Sequence, residues 1–294
     1  MTKILPHSEW QSQVKQHQES IDELVSAWRQ AKNRQEKHPV IDFLFRYYSF
    51  PYNKLKSWTP GINIQLEGPL TEELSAQRFE VISNKVQLKA ELLPSHRLKA
   101  VDWTLSLLKK TIENQSCFNC YGLHEWAMIY KAEKVRHEYT SLRLPDEQIN
   151  SLIEESKINC THFDALRFYT AAALPLNKHQ PTRQTQEDFE QSACLHANMD
   201  LYKWAYKMYP WVSSNLMLKC FKLAFACREV DMKASPYDLR YLGYEPIKVE
   251  TPEGREVYVK EQLRLKNLAA PLRLELLEVY SQIRNEILKL ERQL

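Results

Sequence analysis

Glycine is scarce, with five residues in 294, where average usage of about 7% gives roughly twenty. Phosphate-cradling loops and strand-rich folds with tight turns need glycine for positive φ or close backbone approach, so neither is expected here. No P-loop and no dinucleotide-binding fingerprint occurs. Long apolar runs are also missing: none approaches the roughly 20 residues of a membrane helix, so no membrane partner is expected. The start, MTKILPHSEW, lacks an apolar leader segment and a small-residue cleavage site. The expectation is a cytoplasmic protein whose six cysteines (117, 120, 160, 194, 220 and 227) stay reduced. Charge of one sign is lacking as well, since 40 Lys and Arg face 37 Asp and Glu for a net +3. That balance permits a local basic face without announcing nucleic acid.

What is present is ordinary for a folded chain, with 44% apolar and 26% charged residues, and generous in aromatics, with seven Trp and fifteen Tyr. Trp10, Val14, His17, Ile21, Leu24 and Trp28 recur at spacings of four and three, which predicts an amphipathic helix over 8–34. HPVIDFLFRYYSF (38–50) is too apolar for a surface element and reads as a buried helix closed by Pro51. NIQLEG (63–68) and FEVISNKVQLK (79–89) alternate as strands do, so a small β-ribbon near 62–89 is the most sheet expected. Further helices are predicted at about 94–115, 121–131, 145–156, 162–171, 184–209, 212–233, 252–267 and 271–293. Thr251 is the expected N-cap of the helix at 252, with Pro252 at N1. The last helix carries Leu276, Val279, Ile283, Ile287, Leu290 and Leu294 as a stripe able to pair with the N-terminal one, within a chain or across a homodimer. The expected fold is mainly α: one domain, 1–294, of eight to ten helices, with an irregular stretch at 235–254.

Chemistry concentrates in three stretches. In CFNCYGLHEWAM (117–128), Cys117 and Cys120 form a Cys-x-x-Cys pair with no second pair and no His-x₃₋₅-His to complete a zinc site. They read as small, partly buried thiols near a helix start. Helical angles put His124 at the solvent boundary and Glu125 on the apolar flank between Met128 and Ile129. A buried carboxylate there is either a primed acid or base, or a Glu satisfied by Arg or a backbone amide. In CLHANMDLYKWAYKMYP (194–210), a polar lane of His196, Asp200, Lys203 and Lys207 runs along a helix that is otherwise apolar, and His196 and Asp200 at i and i+4 are expected to touch. Either this lane is a solvated stripe or it faces a polar cleft. In NCTHFDALRFYT (159–170), Thr161 and Asp164 resemble a capping box, Asp164 pairs with Arg167, and His162 is left available as a ligand. His38, His137, Arg183 and the turn at 235–238 are weaker candidates.

Taken in order, HPVIDFLFRYYSF, CYGLHEWAMIY, THFDALRFYT, LPLNKHQPTR, CLHANMDLYKWAYK, ASPYDL and ETPEGREVY resemble a bacterial family that carries the name 3-methyladenine DNA glycosylase, over about 38–258. The chain departs from other base-excision folds in having no Gly-rich helix-hairpin-helix turn followed by a catalytic Asp. The resemblance implies a hydrolase that cleaves the N-glycosidic bond of a damaged base, with DNA or a nucleobase-containing small molecule as partner and no metal cofactor. Such a reaction needs ring faces, a carboxylate to activate water, and cations for phosphate. Trp126, Tyr202 and Tyr206 supply the first, Glu125, Asp200 and His196 the catalytic groups, and Arg167 and Arg183 the cations. The competing class is a helical metalloenzyme in which His124, Glu125, His162, His196 and Asp200 bind iron, manganese or zinc, although paired Glu-x-x-His repeats are absent. A third class is a non-catalytic helical interaction module built on the terminal helices.

Overall fold

The computed structural model describes residues 2–135 and 137–292. Twelve α-helices and one four-stranded sheet are found among the described residues, so the fold is mainly α with a small sheet. No helix among them is long and apolar enough to cross a membrane. The chain forms two compact units, the first from residues 1–106, 201–222 and 272–294 and the second from 107–200 and 223–271.

The first unit holds the sheet, in the order β1 (Lys3–Leu5), β2 (Ile64–Glu67), β4 (Lys85–Leu88), β3 (Phe79–Ile82). The stretch 79–89, read as one alternating run, folds back on itself as the hairpin of β3 and β4. Its two turn residues, Ser83 and Asn84, both have positive φ, which matches the right-handed twist of the strands. β1 is an addition: it pairs parallel to β2 in a stretch too short to show a pattern in sequence. The predicted helix 8–34 is α1 (His7–Leu24) and α2 (Ser26–Asn33), broken at Val25. Trp10, Val14, His17 and Ile21 are buried, and the Trp10 indole N–H donates to the Glu67 carbonyl.

At the other end of the chain, the two predicted helices 252–267 and 271–293 form one helix, α12 (Pro252–Glu291), which continues through Pro271. Its buried stripe in the first unit is Leu276, Tyr280, Ile283 and Ile287, and the Tyr280 hydroxyl donates to the Trp204 carbonyl. Leu294 lies outside the described residues. Both terminal stripes are therefore covered within the first unit and serve its packing.

The second unit contains α6 (Leu123–Ala127), α7 (Asp146–Glu155), α8 (Phe163–Leu166) and α9 (Gln186–Phe189), together with parts of α10 (Leu195–Lys207), α11 (Ser214–Ala234) and α12. Three predicted helices are shorter than expected. That at 121–131 shrinks to α6, because Tyr121, Gly122 and Lys131 have positive φ. Gly122 is required there: a Cβ would lie 3.1 Å from that of Ala234 and 3.3 Å from the Tyr258 ring. That at 162–171 is only α8, which starts at Phe163 without a side-chain cap, so the capping box is not formed. That at 184–209 breaks between Phe189 and Leu195. The Thr251 cap is as expected, its hydroxyl accepting from Gly254 N–H at 3.1 Å.

Candidate metal centre

The breaks in these helices assemble a buried polar cluster. The left-handed turn at Tyr121 and Gly122 lets Cys120 fold back onto α6, so that its Sγ lies 3.6 Å from His124 Nδ1. Cys160 comes from an extended segment clamped by Asn177, which accepts from Cys160 N–H at 2.8 Å and donates to its carbonyl at 3.0 Å. Cys194 and His196 stand at the start of α10, and Arg228 and Asp231 lie one turn apart on α11. Cys120, His124 and Cys160 each bring one ligand atom within 4.8 Å of the other two.

A small internal void of about 10 Å³ is lined by the thiols of Cys120, Cys160 and Cys194 and the imidazoles of His124 and His196, together with Thr161, Gln191, Tyr258 and Gln262. That is room for a single water-sized atom. Tetrahedral zinc, with bonds of about 2.3 Å to sulfur and about 2.0–2.1 Å to nitrogen, separates such ligands by about 3.5 Å, close to the 3.6 Å found between Cys120 and His124. Gln262 donates through Nε2 to the Ala193 carbonyl at 3.0 Å while its Oε1, buried, finds no hydrogen-bond donor. A polar ligand in the void would supply one.

Electrostatics divide the labour among these groups. The hydrogen bond from the Cys120 thiol, against the pull of burial and with help from His124, brings the Cys160 thiol down to about 6. Cys120 is correspondingly pushed up, and burial raises Cys194. Burial alone would lower His124, but the Asp231 carboxylate, 2.7 Å from its Nε2, outweighs it and holds the ring up at about 9. Asp231 stays far below the usual carboxylate range because His124, His196 and Arg228 overcome its burial. Burial, reinforced by the charge on His124, keeps His196 neutral.

Arg228 donates to Glu125 and to Asp231, each at 2.7 Å, so the two cations Arg228 and His124 face two carboxylates. On the other side, His162 stacks on His196 with ring centroids 5.2 Å apart. Glu190 Oε1 lies 3.0 Å from His162 Nδ1, and Asp200 Oδ2 lies 3.8 Å from its Nε2. An open cleft of about 660 Å³ adjoins the cluster, with Thr161 and Gln191 lining both cleft and void.

The structure brings five predicted residues together: His124, Glu125, His162, His196 and Asp200. It revises how they act. His124 is not at a solvent boundary but 2% exposed, because α6 is a single buried turn packed on every side. Glu125 is the Glu satisfied by an arginine. His196 approaches Asp231, at 3.9 Å, while Asp200 approaches His162. The Cys-x-x-Cys pair divides: Cys117 lines the cleft and bonds to Asn119, whereas Cys120 joins a site completed 40 residues away.

The predicted aromatic and cationic residues are engaged in contacts of their own. Trp126 is fully buried, its N–H bound to the Ala234 carbonyl, and has no ring face open to stack on a base. Tyr202 and Tyr206 belong to the aromatic core of the first unit, with Tyr48 and Phe50. Arg167 is exposed and pairs with Asp164 at 3.1 Å, and Arg183 donates to Gln186 at 2.7 Å.

Cys160, Glu190, Cys194, Arg228, Asp231 and Gln262 escape a reading of the sequence, since each is remote from its partners. Arg228 and Asp231 left one signal, a charged pair at i, i+3 inside the apolar run of Cys227, Val230 and Met232. No model of a known protein family matches this chain, and neither the curated proteins nor the solved structures contain a match to it.

Proposed function

We propose that this protein is a metal-dependent hydrolase whose centre lies in the second unit, with zinc held by Cys120, His124 and Cys160. The observation that carries the reading is the single-atom void lined by three thiols and two imidazoles. Thiolate and imidazole donors suit zinc, and Asp231 accepting from His124 Nε2 keeps Nδ1 turned toward Cys120, where metal binding would displace the second proton of the ring. Zinc held by these three residues would supply Lewis acidity toward a bound water or substrate. His196, beside the void, is kept neutral by its burial, and the unsatisfied Gln262 Oε1 accepts a hydrogen bond. Substrate enters by the cleft past Thr161 and Gln191.

The test is elemental analysis of protein purified without chelator or metal-affinity resin. About one zinc per chain is expected, and it falls away in Cys160→Ser. Cobalt(II) in its place gives a thiolate-to-metal charge-transfer band that Cys120→Ser weakens. Metal-free protein that takes up neither ion contradicts the reading.

For the substrate, the family resemblance suggests N-glycosidic cleavage, and the lining of the cleft is compatible with a base: Phe118, Tyr121 and Phe189 stand beside Asn114, Asn119 and Gln191. Release of 3-methyladenine from alkylated DNA, or of free base from modified nucleosides, tests this separately. No release by zinc-loaded protein removes the substrate reading and leaves the metal centre standing.

A further inference from the structure

The cluster contains a second set of donors that the thiolate site does not use. His162 precedes α8 in extended conformation, Glu190 ends α9 where the chain straightens before α10, and Asp200 lies within α10. Three separate elements thus deliver one imidazole and two carboxylates to one place, all at most 2% exposed. One ligand atom from each lies within 4.8 Å of the other two.

Two carboxylates and one imidazole are donors that suit a dication. The arrangement is also supported from behind. Gln186 Nε2 donates to Glu190 Oε2 at 3.2 Å, leaving Oε1 toward His162, and Arg183 holds Gln186 by its Oε1 at 2.7 Å. Such outer contacts orient metal-binding carboxylates. The donors differ in kind from those of the void: one nitrogen and oxygens, with no sulfur. Sulfur selects zinc or other soft ions, whereas carboxylate with imidazole suits manganese(II) or iron(II). His196 stands between the two sets, stacked on His162 on one side and bordering the void on the other.

We propose that His162, Glu190 and Asp200 bind a second, harder divalent cation of the manganese(II) class, next to the thiolate site and separate from it. The unit then holds two ions of unlike chemistry.

The experiment titrates manganese(II) into full-length, zinc-loaded protein and follows loss of the free-ion EPR signal. About one equivalent binds, and pulsed EPR of the bound ion records coupling to one imidazole nitrogen. Glu190→Gln and Asp200→Asn each weaken manganese binding at least ~10-fold, while the cobalt thiolate band of the first site persists. Wild-type protein that binds no manganese, or variants that bind it as well as wild type, overturn the proposal. Where a variant fails to fold, pulsed EPR on the wild type decides alone: a nitrogen coupling supports the site and a purely aquo signal overturns it. The two sites fail separately, since a missing cobalt thiolate band removes the first and a missing nitrogen-coupled manganese signal removes the second.

Discussion

The two units fill their interiors in opposite ways. In the first, Trp10 stacks near Trp58, and Tyr48, Phe50, Tyr202 and Phe221 meet ring to ring, with His17, His38, Lys203 and Arg273 among the polar side chains buried there. In the second, a cluster of polar and charged side chains, His124, Glu125, Arg228, Asp231, His162, Glu190 and Asp200, is buried among apolar residues such as Trp126, Ile153 and Met199. Apolar burial stabilises a fold at roughly 25 cal/mol per Å². Buried charge stabilises weakly and is penalised heavily when any partner is lost. A unit that buries so many titratable groups together is organised around chemistry, and the contrast points to the second unit as the functional one.

The largest expected effect breaks the polar interior directly. Arg228→Leu leaves Glu125 and Asp231 buried without their shared cation and costs about 3–5 kcal/mol in chemical denaturation. It also displaces Asp231 from behind His124, so bound zinc falls in elemental analysis. A loss under 1 kcal/mol would contradict the ion-pair account. In the aromatic unit, Phe221→Ala opens a cavity at a fully packed site and costs about 3 kcal/mol. Its zinc content stays at the wild-type value, which separates packing from metal binding.

How much of this was legible in the sequence follows from the range of each interaction. The stripes Trp10 to Ile21 and Leu276 to Ile287 are local periodicities, and both proved to be buried faces. The helix interruptions at Gly122 and between Phe189 and Leu195 were not legible, because they are stabilised by contacts with distant residues such as Ala234 and Tyr258. Those interruptions are where Cys120 and Glu190 enter the site. His196 and Asp200 stood out as polar residues in an apolar helix. Their partners Asp231 and His162 lie on other elements, and no spacing rule links them. The approach of Cys120 to Cys160 was not legible either, since a Cys-x-x-Cys pattern speaks only of its own segment and the converging thiol lies 40 residues on.

A third, smaller effect concerns pH and belongs to the first unit. Burial holds His17 below its ordinary value of 6.5 despite its contact with the Leu55 carbonyl. The unfolded chain therefore takes up a proton that the folded one refuses, so this contribution is complete above pH 6.5 and is lost as pH falls below it. His17→Gln flattens the slope of stability against pH in that acidic range. An unchanged slope would assign the acid sensitivity to other groups. Smallest of all is Arg167→Ala, which removes an exposed ion pair with Asp164 and shifts stability by about 0–0.5 kcal/mol. It leaves zinc content unchanged.

The central claim is that the buried thiols and imidazoles of the second unit hold a metal ion. X-ray absorption at the zinc edge of the natively purified protein tests it most directly. The account predicts a sulfur shell of about two atoms near 2.3 Å and nitrogen or oxygen near 2.0–2.1 Å, with the sulfur shell reduced in Cys160→Ser. A protein without zinc, or zinc with no sulfur neighbour, would contradict it.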